Sequence, residues 1–302
     1  MIEVYNNFIS VIVPCLNNEK TIERCIKTLL KQDYPSNSFE IILVDTGSSD
    51  KTISIIQKYP VKLFKEKTKN PYIARNVGAL HAKGQILAFT DANCEIDKSW
   101  ISNINSIMNT GADVSQGPGF LTNQKSLLPK AESKRLFMDG NDFWGDAKNL
   151  AIKKGVFYKV NGFFEYYTGC DSILLNQLKS LNYNIKYNKN QLVYRVFPEK
   201  LNILIKKSWK YGKGDIVVDY FRDDLKRFRM VRRMTITLNK RLLIKLMKSK
   251  KYEDLLMDIY SYLIWEIRYF SYFLNYHSTL KEINELKSNH KNIFYEKIDF
   301  IG

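Results

Sequence analysis

The sequence has no Gly-x-Gly-x-x-Gly after its first apolar run and no Gly-x-x-x-x-Gly-Lys-Ser/Thr anywhere. Those loops cradle phosphates through backbone amides, so dinucleotide oxidoreductase and P-loop nucleotidase readings lose their main support. Cysteine is scarce: Cys15, Cys25, Cys94 and Cys170 form no C-x-x-C pair and no zinc spacing. That pattern fits a reduced compartment, with Cys15 and Cys25 as core residues. His81, His277 and His290 have no partners at metal-ligand spacing, which argues against a His or Cys metal centre. Residues 1–7 lack the basic start and apolar core of a secretory peptide, so the expectation is a cytoplasmic protein. The most apolar stretch, residues 255–276, is interrupted by Asp258, Glu266 and Arg268. A helix lying in a membrane interface or packed on a domain is expected there, not a spanning one. There is no internal repeat and no long low-complexity tract.

What is present is a globular chain: 302 residues, 45% hydrophobic and 13% aromatic, enough for one large or two modest domains. Its net charge of +16 is uneven, since residues 200–251 carry 17 Lys or Arg against four Asp. Such a stretch suits nucleic acid, an anionic membrane or a phosphorylated ligand, although a general richness in Lys contributes. Over the first 110 residues, strand-like runs alternate with helical periodicity. Phe8 to Pro14, Phe39 to Asp45, Val61 to Phe64 and Gln85 to Asp91 read as strands. Helices are expected between them and from Asp97 to Thr110. That rhythm predicts an α/β fold with a doubly wound, mostly parallel sheet. Further on, residues 113–120 and 149–152 read as strands, 171–181 as an amphipathic helix, and 185–187 with 192–196 as a strand pair. Pro198 is the expected boundary, followed by a helical start, a break at Gly212 and Gly214, and basic, aromatic helices.

Three strand ends carry polar chemistry: Pro14 to Glu19, Asp45 to Asp50, and Asp91-Ala92-Asn93. In an open parallel sheet these loops share one edge, where ligands bind. A carboxylate with a second oxygen ligand at Asn93 suits Mg²⁺ or Mn²⁺, which in turn holds phosphate oxygens. The competing reading of Asp91 is an ordinary strand end whose carboxylate caps the next helix.

Four segments together resemble the family 2 glycosyltransferases of the GT-A fold. They are Val11-Ile12-Val13-Pro14-Cys15-Leu16-Asn17-Asn18-Glu19, Val44-Asp45-Thr46-Gly47-Ser48-Ser49-Asp50, Ala74-Arg75-Asn76-Val77-Gly78-Ala79 and Phe89-Thr90-Asp91-Ala92-Asn93-Cys94. Asn149-Leu150-Ala151-Ile152-Lys153 and Gly162-Phe163-Phe164-Glu165 are similar to the family's acceptor-side segment, and Gly169-Cys170-Asp171 to its Glu-Asp motif. Tyr211-Gly212-Lys213-Gly214 resembles a segment of members that build surface polysaccharides.

The resemblance implies a GT-A catalytic domain over 1–198, with a donor half to about 112 and an acceptor half beyond it. Residues 199–302 would be a basic helical region. It implies a donor site of Pro14, Glu19, Asp45, Asp50, Arg75, Asp91, Ala92 and Asn93, with a divalent cation at Asp91 and Asn93. Asp171 would be the catalytic base of an inverting transfer, or else only the cap of its helix. Asn149 and Cys170 would lie on the acceptor side, and Lys206, Lys207, Trp209 and Lys210 in a lid or a solvated basic helix. Asn93 stands where the family more often has Asp, and Cys170 where it usually has Glu. The implied donor is a nucleotide-diphospho-sugar, with UDP expected, and the acceptor a glycan or polyprenyl-linked sugar at the inner membrane face. Two alternatives stay open: a sugar nucleotidyltransferase on the same fold, and a non-enzymatic basic protein binding RNA through residues 200–251.

Overall fold

The computed structural model describes residues 7–122, 146–166, 168–195, 201–222 and 252–299. The chain opens β1 (Ile9–Cys15), α1 (Ile22–Leu29), β2 (Phe39–Asp45), α2 (Thr52–Ile56), β3 (Lys62–Lys65), α3 (Pro71–Leu80) and β4 (Ile86–Phe89). It continues β5 (Cys94–Ile96), α4 (Trp100–Asn109), β6 (Val114–Gln116), β7 (Gly119–Leu121), β8 (Leu150–Lys153) and α5 (Lys154–Lys159). Then come α6 (Cys170–Ser180), β9 (Ile185–Tyr187), β10 (Val193–Arg195), α7 (Leu201–Arg222) and α8 (Tyr252–Asp299).

A seven-stranded sheet runs in the order β3-β2-β1-β4-β8-β6-β9. All its pairings are parallel except those of β8, which is antiparallel to β4 and β6. The central strands are buried on both faces, which is why β1 and β2 read as unbroken apolar runs. Pairing of β1 with β4 stops at Ile12↔Phe89, while pairing with β2 continues to Cys15↔Asp45. The strands therefore part beside Pro14, whose missing N–H costs nothing at that point. This divergence opens the crevice at the carboxyl ends of the strands.

The mostly parallel α/β architecture agrees with the alternating pattern of the sequence. Several local expectations do not survive. Residues 113–120 form two strands, because Gly117 and Pro118 break the ladder and β7 joins a second sheet of order β5-β10-β7. The expected pair 185–187 and 192–196 belongs to different sheets: β9 pairs with β6 and β10 with β5. The three-residue β5, directly after the Asp91 turn, is too short to leave a periodic signal. Asp171 is not the cap of its helix; Gly169 is, at φ +82°, a left-handed conformation that glycine adopts without strain.

The described residues divide into two compact units, one built from 7–120, 146–195 and 294–299, the other from 121–122, 201–222 and 252–293. In the second unit α7 runs unbroken through Gly212 and Gly214, against the expected break. A Cβ on Gly212 would fall 2.2 Å from the Arg268 carbonyl oxygen of α8, so glycine here permits close helix packing and does not end the helix. Arg268 grips Asp215 through Nε and Nη2, both at 2.6 Å, and Ser271 Oγ donates to the Trp209 carbonyl at 2.6 Å. Among the described residues no helix is long and apolar enough to cross a membrane. Pro198 and residues 223–251, the larger part of the basic stretch, lie outside the described residues.

Candidate active site

The loops after β1 and β2 are bound into one body. Asn17 N–H donates to Ser48 Oγ at 2.8 Å, Asn18 N–H to Thr52 Oγ1 at 2.7 Å, and Glu19 N–H to Asp50 Oδ2 at 3.1 Å. In return Asn17 Oδ1 accepts from Ser49 N–H at 2.9 Å, and Glu19 Oε2 from Lys51 N–H at 3.3 Å. Asp45 is 1% exposed, and its Oδ2 accepts from the Gly47 and Ser48 amides, each at 3.0 Å. Asp50 Oδ1 accepts from the amide and hydroxyl of Thr52. Desolvation pushes the Asp50 carboxyl up, but the Thr52 and Glu19 hydrogen bonds more than reverse it, leaving it below its ordinary value. Burial and the nearby Asp45 raise the Cys15 thiol, which stays neutral and offers no nucleophile.

Asp91 begins the turn that β4 feeds, and Cys94 N–H closes it on the Asp91 carbonyl at 3.0 Å. Ala92 is buried beneath this turn, and Asn93 is part-exposed on it. The α3 helix starts on an Asn70 cap with Pro71 at its first position, which fixes where its first turn points. Arg75, one turn along and 5% exposed, reaches Asp91 Oδ1 with Nη2 at 2.5 Å. Its guanidinium carbon lies 5.3 Å from the Tyr72 ring centre and 5.9 Å from that of Phe163. The Arg75 Nε is buried with no hydrogen-bond acceptor among the described residues.

Asp171 joins this corner from the first turn of α6. Its Oδ2 accepts from the Ala147 amide at 3.3 Å and its Oδ1 from the Ser172 amide at 3.0 Å. The hydroxyl of buried Tyr72 lies beside the same carboxylate and interacts with it. Burial raises the Asp171 carboxyl above the ordinary range; the Ala147 amide, the Arg75 charge, the Ser172 amide and the Tyr72 hydroxyl oppose the rise without cancelling it. Asp91 and Asp171 are thus gathered around one arginine and one tyrosine.

Several residues that matter here were not singled out in the sequence. Tyr72 was hidden inside an ordinary helix start. Lys148 adjoins the Asn149 segment, is ion-paired with Asp146, and lies in the field of Asp91 and Asp171. Arg195 sits across the β10–β5 ladder from Cys94, immediately past Asn93. Only Lys148 had a usable signal, as the residue directly before the Asn149-Leu150-Ala151-Ile152-Lys153 segment.

Two expected acceptor-side residues are spent on architecture. Asn149 is buried, with Oδ1 accepting from Trp100 Nε1 and Gln191 Nε2, each at 2.8 Å. Its Nδ2 donates to the carbonyls of Pro118 and Gln191. With its amide filled, Asn149 pins the small sheet to β8 and has nothing left for a substrate hydroxyl. Cys170 is fully buried, its thiol turned to the Tyr166 carbonyl at 3.3 Å. Lys206, Lys207, Trp209 and Lys210 lie on α7 in the other unit, with Trp209 edge-on to Phe270 at 6.2 Å.

Among the described residues no group of three or more His, Cys, Asp or Glu can hold a metal by itself. One carboxylate and one amide oxygen, at Asp91 and Asn93, still fit a hard cation whose other positions are filled by phosphate oxygens and water. Arg75 already occupies Asp91 Oδ1, so such an ion would use the rest of that carboxylate.

The family model of Glycosyl transferase family 2 matches residues 10–167. Glycosyltransferase AglE of Haloferax volcanii is 32% identical over 230 residues, covering 70% of this chain and 74% of its own. A dolichyl N-acetyl-alpha-D-glucosaminyl phosphate 3-beta-D-2,3-diacetamido-2,3-dideoxy-beta-D-glucuronosyltransferase of Methanococcus voltae is 25% identical over 242 residues, covering 74% of this chain and 70% of its own. The mannosyltransferase PcManGT of Pyrobaculum calidifontis, solved with GDP-Man and Mn²⁺, superposes with a TM-score of 0.61 at 14% identity. That superposition covers 90% of this chain and 87% of the other and shows likeness of fold.

Proposed function

The chain belongs to glycosyl transferase family 2, and on that premise we propose that it moves a sugar, with inversion, from a nucleotide-diphospho-sugar to a hydroxyl of a glycan or polyprenyl-linked acceptor. The observation that carries the mechanism is the corner where Arg75 pairs with Asp91 while its charge and the Tyr72 hydroxyl act on Asp171. In a direct displacement the acceptor oxygen bonds to the anomeric carbon as the bond to the diphosphate breaks. Asp171 takes the acceptor proton, and a carboxyl raised above its ordinary range is better matched to that task near neutral pH. The Ala147 and Ser172 amides hold its two oxygens in place, with the Tyr72 hydroxyl beside them. Asp45 and the joined loops after β1 and β2 would form the base and ribose pocket. Asp91 and Asn93 would hold a divalent cation that neutralises the departing diphosphate.

The reading extends to the inner face of a cell membrane. Exposed Leu201, Ile205 and Trp209 recur four residues apart on α7, and Leu263, Phe270 and Leu274 form a stripe on α8. Trp209 meets Phe270, so the two stripes adjoin within that unit. Near an anionic leaflet the 17 Lys or Arg of residues 200–251 would each add about 1 kcal/mol. Co-sedimentation with anionic vesicles should then be strong and salt-sensitive; indifference to vesicles removes this location.

Thermal shift of the full chain against UDP- and GDP-sugars, with and without Mn²⁺, tests the donor. Stabilisation by one nucleotide series, deepened by Mn²⁺, is expected, with UDP the nucleotide we favour. No stabilisation by any nucleotide-sugar would defeat the reading.

A further inference from the structure

Among the described residues, one cation at the site has no counter-charge. Arg75 is paired with Asp91 and Lys148 with Asp146, but Arg195 makes no ion pair among the described residues, and its Nε is buried without an acceptor. A buried N–H left unpaired keeps its full desolvation cost until an acceptor arrives. Strand alternation shows where the group points. Tyr194 packs its ring on Phe120 at 5.9 Å on one face of the small sheet, so Arg195 and Gly119 belong to the other. A Cβ on Gly119 would lie 2.6 Å from Lys148 Cε, so the lysine stem crosses that face where no side chain stands. Lys148 and Arg195 thus share one face next to the Asp91-Ala92-Asn93 turn, and Lys148 is only 11% exposed along its side chain.

The two like charges work against each other. Burial and the Arg195 charge lower Lys148 to about 7, although Cys94, Asp91 and Asp171 pull it back up. An anion between them would satisfy the orphaned N–H and remove the repulsion together. A guanidinium fork beside an ammonium matches the spread oxygens of a phosphate better than a single carboxylate.

We propose that Arg195 and Lys148 form a phosphate-oxygen site on the small sheet, resting on the transferase reading above. Its ligand is either the diphosphate of the donor or the phosphate of a lipid-linked acceptor. The test uses the full chain with Arg195→Gln, Arg195→Lys and Lys148→Gln; binding is titrated in EDTA so that metal does not mask the contribution, and turnover is measured with Mn²⁺. One arm titrates UDP, uridine and inorganic pyrophosphate. The other compares KM for an acceptor sugar bearing a phosphate with KM for the same sugar without it.

If the donor diphosphate is the ligand, Arg195→Gln weakens UDP and pyrophosphate about tenfold or more and leaves uridine unchanged. If the acceptor phosphate is the ligand, the loss appears only in KM for the phosphorylated acceptor. In either case Arg195→Lys, which keeps the charge without the fork, recovers part of the loss and reports a folded protein. Wild-type values for every phosphate compound in both glutamine variants overturn the site and leave the transferase standing. Pyrophosphate binding that needs Arg195, in a protein that binds no nucleotide-sugar, would keep the site and defeat the transferase reading.

Discussion

The two corners of the crevice treat their carboxylates in opposite ways. At the β1/β2 corner, Asp45 and Asp50 accept from backbone amides and from Thr52, all within the two joined loops after β1 and β2. At the Asp91/Asp171 corner, a guanidinium from α3, a hydroxyl from α3 and an amide from residue 147 come from elsewhere in the chain. The first corner is a scaffold held by its own hydrogen bonds. In the second, tertiary folding buries Asp171 and brings a charge and donors to it, leaving its carboxyl above the ordinary range, and there the chemistry is expected.

Substitutions should separate the two. Asp171→Asn is expected to lower transfer by about 10²–10⁴-fold, the range for a general base, with nucleotide-sugar affinity unchanged by titration. Its effect on stability has the opposite sign: a carboxyl whose folded pKa is raised penalises the native state above that pKa. The melting-temperature difference between Asp171→Asn and wild type should therefore favour the variant more at pH 8 than at low pH, shrinking as the pH falls through the raised value. Asp91→Ala should weaken donor binding most when Mn²⁺ is present; an equal loss with and without metal would move the cation elsewhere.

Arg75→Met should cost about 1–3 kcal/mol in denaturant unfolding, since it strips a charged hydrogen bond from a buried site, and should slow transfer as well. Asp50→Ala is the mildest. It removes the acceptor shared by Thr52 and Glu19 and should cost about 1 kcal/mol, with kcat nearly unchanged. Were Asp50→Ala to abolish turnover while Arg75→Met spared it, the contrast between the corners would be reversed.

How much of this was legible in the sequence follows the same division. The scaffold corner was visible because its causes are local: an apolar run, an acid, then small and polar residues. So were α3, announced by Asn70-Pro71, and the mostly parallel sheet. The second corner was visible only as isolated acids. That Tyr72 would lie beside Asp171, or that Arg195 would stand beside Asn93, depends on pairings 99 and 102 residues apart in the chain, which no periodicity records. Asn149 misled for the reverse reason: a polar residue before a strand looks available, and only the fold shows its amide filled by Trp100, Gln191 and Pro118. Gly212 did likewise, since a helix breaker in isolation became a point of close approach between α7 and α8.

The most direct test is the pH dependence of kcat/KM for transfer, measured on wild type and on the residual rate of Asp171→Asn. Base catalysis by Asp171 requires its ionised form, so wild-type activity should fall on the acid side with a midpoint above the ordinary aspartate value of about 3.9. That limb should vanish from the variant. An acid limb at the same pH in both proteins would place the base on another residue and contradict the account.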